Sequence, residues 1–429
     1  LEVNMIRKII TASVAAAAIG IVTAVQAATP IKIGVVGPMA FVQGESMWAG
    51  AQMARDEINK SGGIKVGSET RPVEIVQVDS NELQSVPDAA NAMERVITQD
   101  KVDFVVGGFR TEAVLAMQDV AMDYKKIFLG VGASSDELGL RVEKDYNRYK
   151  YWFRVAPTKS SDLGKTLFAM LGTIAGQIRS ELGRAEPRVA IVAEKAQWTG
   201  GIVAAAKANL PKMKMQLVGL WQPSPIATDV TAELSAIRRG GADIVFTALS
   251  GPVGIVIGRQ MGELQIPAIQ FGINVEAQKD TYWQATNGKA NYVATLNTYA
   301  EGVANSPKTI AFVQGYKKRF GHMPVATSQA YDAINLLKES IEKSGTLDAD
   351  KVVAALEKTD TYDSAAHLVF DKRHDVVFGP GYALGVGVQW QDGHQVGFWP
   401  NNWHGVTYQG VKPFKLPPYM VAKKTARAD

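Results

Sequence analysis

Ile31-Lys32-Ile33-Gly34-Val35-Val36, closed by Gly37-Pro38, is the stretch whose reading decides the fold. β-Branched residues dominate a short apolar run that ends in turn residues, which predicts a buried strand. Across Gly44 to Lys60 the pattern changes: Met47, Ala51, Ala54 and Ile58 recur at spacings of four, three and four, so they share one face of a helix that Ser61-Gly62-Gly63 stops. A buried strand followed directly by an amphipathic helix is the first half of a βαβ unit, whose crossover is right-handed and whose sheet is parallel.

Working outward, the unit repeats. Strands are expected at Val73 to Val78, Val102 to Val106 and Ile127 to Val131, with helices near Pro87 to Gln99 and Thr111 to Tyr124. After Phe153-Arg154-Val155-Ala156-Pro157 a second series begins: helix Asp162 to Arg179, then strands Arg188 to Ala193, Met215 to Leu220, Asp243 to Ala248 and Ala268 to Gly272. Helices Thr199 to Asn209, Asp229 to Arg239 and Pro252 to Leu264 separate them. Two α/β series in succession describe two lobes, and a crevice between lobes is the default binding site. Beyond Tyr299 come helices Lys308 to Phe320, Ser328 to Lys343 and Ala349 to Lys358. An alternating stretch follows from Val376 to Phe398, broken by Asp392-Gly393, a hairpin signal. The late helices fit best if the chain recrosses and completes the first lobe.

Composition bounds the function. A chain of 429 residues, 46% hydrophobic and 21% charged, is long enough for two or three ordinary globular domains. Its net charge of +4 gives no basic surface for nucleic acid. The absence of cysteine rules out disulfides, thiolate metal sites, Cys nucleophiles and a lipidated N-terminal cysteine. From Met5 the chain reads Arg7-Lys8, then an uncharged run Ile9 to Val25, then Val25-Gln26-Ala27-Ala28. This is the pattern of a secretory signal peptide over residues 1–27, cleaved after Ala27, and it predicts a periplasmic, exported protein. The run is about 17 residues and is interrupted by Thr11, Ser13 and Thr23, marginal for a membrane span.

In open α/β sheets ligands sit outside the carboxyl ends of the strands. There the sequence places Gly107-Gly108-Phe109-Arg110-Thr111 at the start of a helix, where free N–H groups, a hydroxyl and two small glycines outline a carboxylate site. Gly130-Val131-Gly132-Ala133-Ser134-Ser135 offers carbonyls and hydroxyls to an ammonium or amide. The second series contributes Gln197-Trp198, Leu249-Ser250-Gly251, Asn274 and Glu276. Each has a plainer role available: Thr111 and Ser134 as helix caps, Trp198 as packing, Arg110 paired with Glu112 or Asp136, Glu276 as a solvated loop charge.

Signals for catalysis are weak. The five histidines (His322, His367, His374, His394, His404) lack zinc spacing and read as exposed loop residues. Gly164-Lys165-Thr166 lacks the first glycine of a phosphate loop and a preceding strand, so Lys165 reads as a helix-surface residue. Gly130-x-Gly132 lacks a dinucleotide loop's third glycine, and no G-x-S-x-G elbow occurs.

These residues carry a resemblance. Ile31 to Pro38, then Gly44, Gly50-Ala51-Gln52-Met53-Ala54, Glu57-Ile58-Asn59 and Gly62-Gly63-Ile64, resemble the opening of the branched-chain amino-acid family of periplasmic substrate-binding proteins for ABC importers. The similarity continues through Gly130 to Leu138, Val189 to Trp198 and Ala330-Tyr331-Asp332-Ala333. It implies a type I periplasmic binding protein: an α/β fold of two Rossmann-like lobes with parallel sheets and three interlobe crossovers. Lobe 1 would be 28–155 plus 295–372, and lobe 2 would be 156–294 plus 373–429. The family holds a ligand carboxylate where this chain has Thr111, flanked by Phe109 and Arg110. It holds the ammonium at Gly132 and Ser134, around Ala133. In the second lobe Trp198 matches an aromatic contact, Ser250 stands where an aromatic is common, and Asn274 competes with Glu276 for the acidic position. The loop Met39 to Gln43 is shorter than in leucine binders, so Phe41 and Gln43 would form a different side-chain wall. If Arg110 enters the cleft it could hold a carboxylate bidentately.

The resemblance thus implies a monomeric receptor for a small amino acid, carboxylate or amide. Its partners would be an inner-membrane permease and its ATPase subunits, with no cofactor, metal or nucleic acid. An exported enzyme using the same cleft and a ligand-sensor module of a signalling system remain the alternatives.

Overall fold

The computed structural model describes residues 28–420. The signal expected over residues 1–27 lies outside the described residues.

The first series runs β1 (Ile31–Gly37), α1 (Val42–Lys60), a small hairpin of β2 (Ile64–Val66) and β3 (Glu69–Arg71), β4 (Val73–Asp79), α2 (Val86–Thr98), β5 (Phe104–Gly107), α3 (Thr111–Asp123), β6 (Phe128–Gly130), α4 (Asp136–Lys144), α5 (Tyr146–Tyr149) and β7 (Trp152–Arg154). Its sheet has the order β4-β1-β5-β6-β7 and is parallel throughout, with Ile33 of β1 opposite Ile75 on one side and Phe104 on the other. Stepping from β1 outward to β4 and back through β5 and β6 with right-handed crossovers puts α1 on one face and α2 with α3 on the other. That is how they pack: α1 lies against α12 (Ala330–Ser344), and α2 lies against α3.

The second series runs α6 (Ser160–Leu182), β8 (Arg188–Ala193), α7 (Gln197–Asn209), β9 (Gln216–Trp221), α8 (Thr231–Arg239), β10 (Ile244–Leu249), α9 (Val253–Glu263), β11 (Ile269–Asn274), α10 (Tyr282–Ala285) and β12 (Ala294–Asn297). The chain then adds α11 (Thr309–Phe320), α12, α13 (Ala349–Leu356) and the two-stranded β13 (Asp360–Tyr362) and β14 (His367–Val369). It closes with β15 (Val386–Gln391) and β16 (His394–Trp399). The second sheet has the order β16-β15-β12-β11-β10-β8-β9, parallel from β9 to β12 and antiparallel at β15 and β16.

Core membership shows where the chain crosses. The apolar cluster around the first sheet joins Ile31 to Val155 with Ala330 to Val376, whereas Leu384 to Trp399 pack with the second sheet. β12 belongs to the second sheet, so the first return follows Asn297 rather than residue 294. The second cluster takes up the chain from Leu384, beyond the expected crossing at 372/373.

The strand and helix expectations shift at their ends by a few residues, and two features differ more. α4 and α5 fill a region with no marked periodicity: Ser135 caps α4 through the N–H of Glu137 and Asp145 caps α5 through Arg148. In the stretch from Val376, only 386–399 forms the hairpin; Val376 to Gly385 is the crossing segment. The hairpin turn is as read, with Asp392 and Gly393 both at positive φ, 52° and 86°. Among the described residues no helix is long and apolar enough to cross a membrane.

Candidate functional site: the interlobe cavity

Each sheet presents its strand ends to the other, and a cavity of about 780 Å³ lies between them. Phe41 and Gln43 reach it from the start of α1, Leu83 and Gln84 from the loop after β4, Phe109, Arg110 and Thr111 from the β5–α3 junction, and Gly132 and Ser134 from the loop after β6. Opposite them stand Glu194, Lys195, Trp198, Ser250 and Gly251. Gly132 is required for this approach, because a Cβ there would overlap the Gly108 carbonyl and the Phe109 backbone.

The most informative groups at the rim are two buried glutamates that sequence reasoning passed over. Glu82, after β4, accepts hydrogen bonds from the backbone N–H of Phe109 (2.9 Å) and Arg110 (2.8 Å) and from the Ser80 hydroxyl (2.9 Å). Burial pushes its carboxyl up to about 7 against the pull of those bonds. Glu194, after β8, does the same in the second lobe. It accepts from the N–H of Ser250 (2.8 Å) and Gly251 (2.9 Å), from the Ser250 hydroxyl and from the indole N–H of Trp198 (3.1 Å). In both lobes an internal carboxylate thus occupies amides just ahead of a helix, groups that would otherwise bind an anion. The sequence signal was available: an acidic residue within three positions of a strand's carboxyl end, in a chain whose other strand ends are polar or glycine-rich.

Arg110 lines the cavity, but its Nε is 3.3 Å from Glu112 and its Nη1 donates to the carbonyls of Glu82 (3.4 Å) and Leu83 (3.1 Å). The pairing with Glu112 is one of the two surface partners weighed from sequence, and Nη2 forms no hydrogen bond among the described residues. Thr111 is the first residue of α3, not its cap, and its hydroxyl has no hydrogen-bond partner among the described residues. Ser134 has its carbonyl taken by Ser160 N (2.6 Å), and Ser135, not Ser134, is the helix cap. Trp198 lines the cavity with its ring held by Glu194.

Three expected contacts lie elsewhere. Ala133 is absent from the cavity wall: its carbonyl accepts from Arg154, which also bonds Ser135 O (2.5 Å) and forms a fully buried ion pair with Asp375 at 2.6 Å. Asn274 is the last residue of β11, which extends beyond Gly272. Its amide donates to Gly254 O (3.0 Å) and Tyr282 OH (3.1 Å), in space that a Cβ on Gly254 would fill. Glu276 lies in the following turn, paired with Lys279 at 3.0 Å. Val275 and Gln278 face the cavity in their place. One histidine also departs from expectation: His374 is buried, stacked on Phe153 with ring centroids 3.9 Å apart. Lys165 is exposed and pairs with Asp162, as a helix-surface residue should.

Direct bonds bridge the two lobes across the mouth. Gln43 Nε2 donates to Ser250 O (3.3 Å), and Met323 N donates to Asp280 (2.7 Å). Glu112 accepts from Gln197 N (3.1 Å). The last supplies α7 with the N-terminal acceptor it lacks, since its own cap position is Ala196.

Two facing Rossmann-like lobes with polar strand ends around a closed-over cavity define a solute-binding protein. Residues 30–387 match the periplasmic binding protein family, and the chain belongs to it: a family of non-enzymatic solute-binding proteins of ABC transporters. It is 24% identical, over 82% of its length and 88% of the relative's, to a leucine-, isoleucine-, valine-, threonine- and alanine-binding protein of Pseudomonas aeruginosa. Its fold is that of the branched-chain amino acid transporter substrate binding protein LivJ from Streptococcus pneumoniae in complex with isoleucine. The TM-score is 0.71 at 20% identity, covering 90% of this chain and all of that one. It is equally that of an ABC transporter solute binding protein from R. palustris in complex with benzoate, with a TM-score of 0.70 at 16% identity, covering 86% and 95%.

Proposed function

We propose that this chain is an exported, periplasmic, monomeric receptor that closes its lobes on a small, largely apolar solute bearing a carboxylate and presents the closed form to an ABC permease and its ATPase. The cavity carries the reading: Phe41, Phe109, Trp198 and aliphatic side chains form much of its wall, Arg110 adjoins Thr111 on the first lobe, and Lys195 lines it from the second. The lobes are 28–155 with 298–376 and 156–297 with 377–420. Closure is a hinge motion in which the ligand stabilises the state touching both lobes. The binding residues are those of the expected set that line the cavity; Ala133, Asn274 and Glu276 are left out of it.

Relatives binding leucine or isoleucine favour an α-amino acid, and the relative holding benzoate favours an acid without an amine. Glu276 does not line the cavity and is engaged with Lys279, so the acidic partner expected for an α-ammonium is taken up elsewhere. Leucine, isoleucine, benzoate and 3,4-dihydroxybenzoate form the first panel. At least one should raise the melting temperature and reduce the radius of gyration; no change with any of them would overturn the reading. Arg110→Ala should weaken the binding of that carboxylate at least 10-fold in calorimetry, and unchanged affinity would return Arg110 to a purely structural role.

A further inference from the structure

The cavity is larger than the strand-end site requires and continues past it. Arg110, Thr111 and Leu83 belong to the α2/α3 face of the first sheet, whereas Thr327, Gln329 and Asp363 belong to the α1/α12 face. One cavity therefore crosses the carboxyl edge of the sheet, with the Arg110 guanidinium on one side of the first lobe's rim and the Asp363 carboxylate on the other.

The far end is polar in a specific way. Asp363 is buried, lines the cavity and forms no ion pair among the described residues. One of its oxygens accepts from the N–H groups of Ala365 (2.7 Å) and Ala366 (2.5 Å). The other has only the Gln329 amide, at a long 3.4 Å. Thr327, 2% exposed, also lines this end, and its hydroxyl has no hydrogen-bond partner among the described residues. A buried carboxylate without a cation and with spare acceptor capacity is costly unless something cationic completes it. Lys308 acts on Asp363 only through space. Burial raises the carboxyls of both Asp363, to about 6, and its neighbour Asp332.

We propose that the Thr327–Gln329–Asp363 end is a second subsite that binds a cationic nitrogen carried by the solute at a distance from its carboxylate, making the preferred ligand an ω-amino carboxylate rather than an α-amino acid. This rests on the carboxylate-receptor reading given above. The solute's carboxylate lies at the Arg110–Thr111 end, its methylene chain runs along the apolar walls, and its ammonium completes Asp363.

The test uses matched pairs with the full chain in calorimetry at pH 7.5: butanoate, pentanoate and hexanoate against 4-aminobutanoate, 5-aminopentanoate and 6-aminohexanoate, with leucine alongside. At least one amino compound should bind 10-fold or more tightly than its plain counterpart and more tightly than leucine. Asp363→Asn, which keeps an acceptor for Ala365 and Ala366, should remove that preference, the amino compound's affinity falling to that of its plain counterpart. Thr327→Val should reduce the preference severalfold and serves if Asp363→Asn fails to fold. Plain acids binding as tightly as the amino compounds, or leucine binding most tightly, overturns the second subsite and leaves the carboxylate receptor standing. If none of the compounds, and none of the first panel, binds, both readings fall.

Discussion

The two lobes solve the same problem at their rims with the same residue, and differ in where they put it. Glu82 sits behind the first rim, outside the cavity wall, and holds the Phe109 and Arg110 amides from within the lobe. Glu194 sits in the wall itself and holds the Ser250 and Gly251 amides together with Trp198. The first lobe adds a second internal brace, Arg154 with Asp375, which fixes the loop carrying Gly132 and Ser134. A rim braced from behind keeps its shape whether the cavity is filled or empty; a rim braced from inside shares its brace with whatever enters. The first lobe's brace stays inside that lobe, whereas the second lobe's brace also lines the cavity.

That contrast breaks most readily at Arg154. Arg154→Met leaves Asp375 buried without its cation and removes the donor from Ala133 and Ser135. A loss of about 3–5 kcal/mol of stability is expected in chemical denaturation, and one under about 1 kcal/mol would show that the brace does not hold the rim.

Glu82 sharpens the comparison through pH. Its carboxyl is held up to about 7 in the folded chain against 4.5 ordinarily, so the folded state binds the extra proton between those values and stability falls as pH rises through them. Relative to the parent, Glu82→Gln should lack a component of that fall on the order of 3 kcal/mol. Parallel stability curves for the two proteins from pH 4.5 to 7 would count against a protonated Glu82.

The smallest effect is expected where the rims meet. Glu112→Ala removes the acceptor that the first lobe lends to the start of α7. Faster ligand release and roughly three- to tenfold weaker binding should follow, about 1 kcal/mol, with the ligand-free melting temperature nearly unchanged. An equal drop in stability without ligand would make Glu112 a fold residue and not a closure contact.

Much of this molecule was legible before its structure. Strand and helix periods are local, so the βα alternation, the Asp392-Gly393 turn and the strand-end loops could be read along the chain. Asn274 and Glu276 sit differently from expectation because β11 runs two residues beyond its predicted end. β11 continues to Asn274, which turns Asn274 toward Gly254 and carries Glu276 into the next turn, paired with Lys279.

What the sequence determined by itself was the repeating strand–helix unit, the two series and the rim at which polar groups gather, because each depends on residues a few positions apart. Only the tertiary structure decided which of those groups remain available. Glu82 meets its amides 27 residues away, Glu194 meets Ser250 at 56, Gln329 meets Asp363 at 34, and Arg154 meets Asp375 at 221. A charge is an open binding group or an internal brace according to what folds against it, and neither composition nor periodicity records that distance.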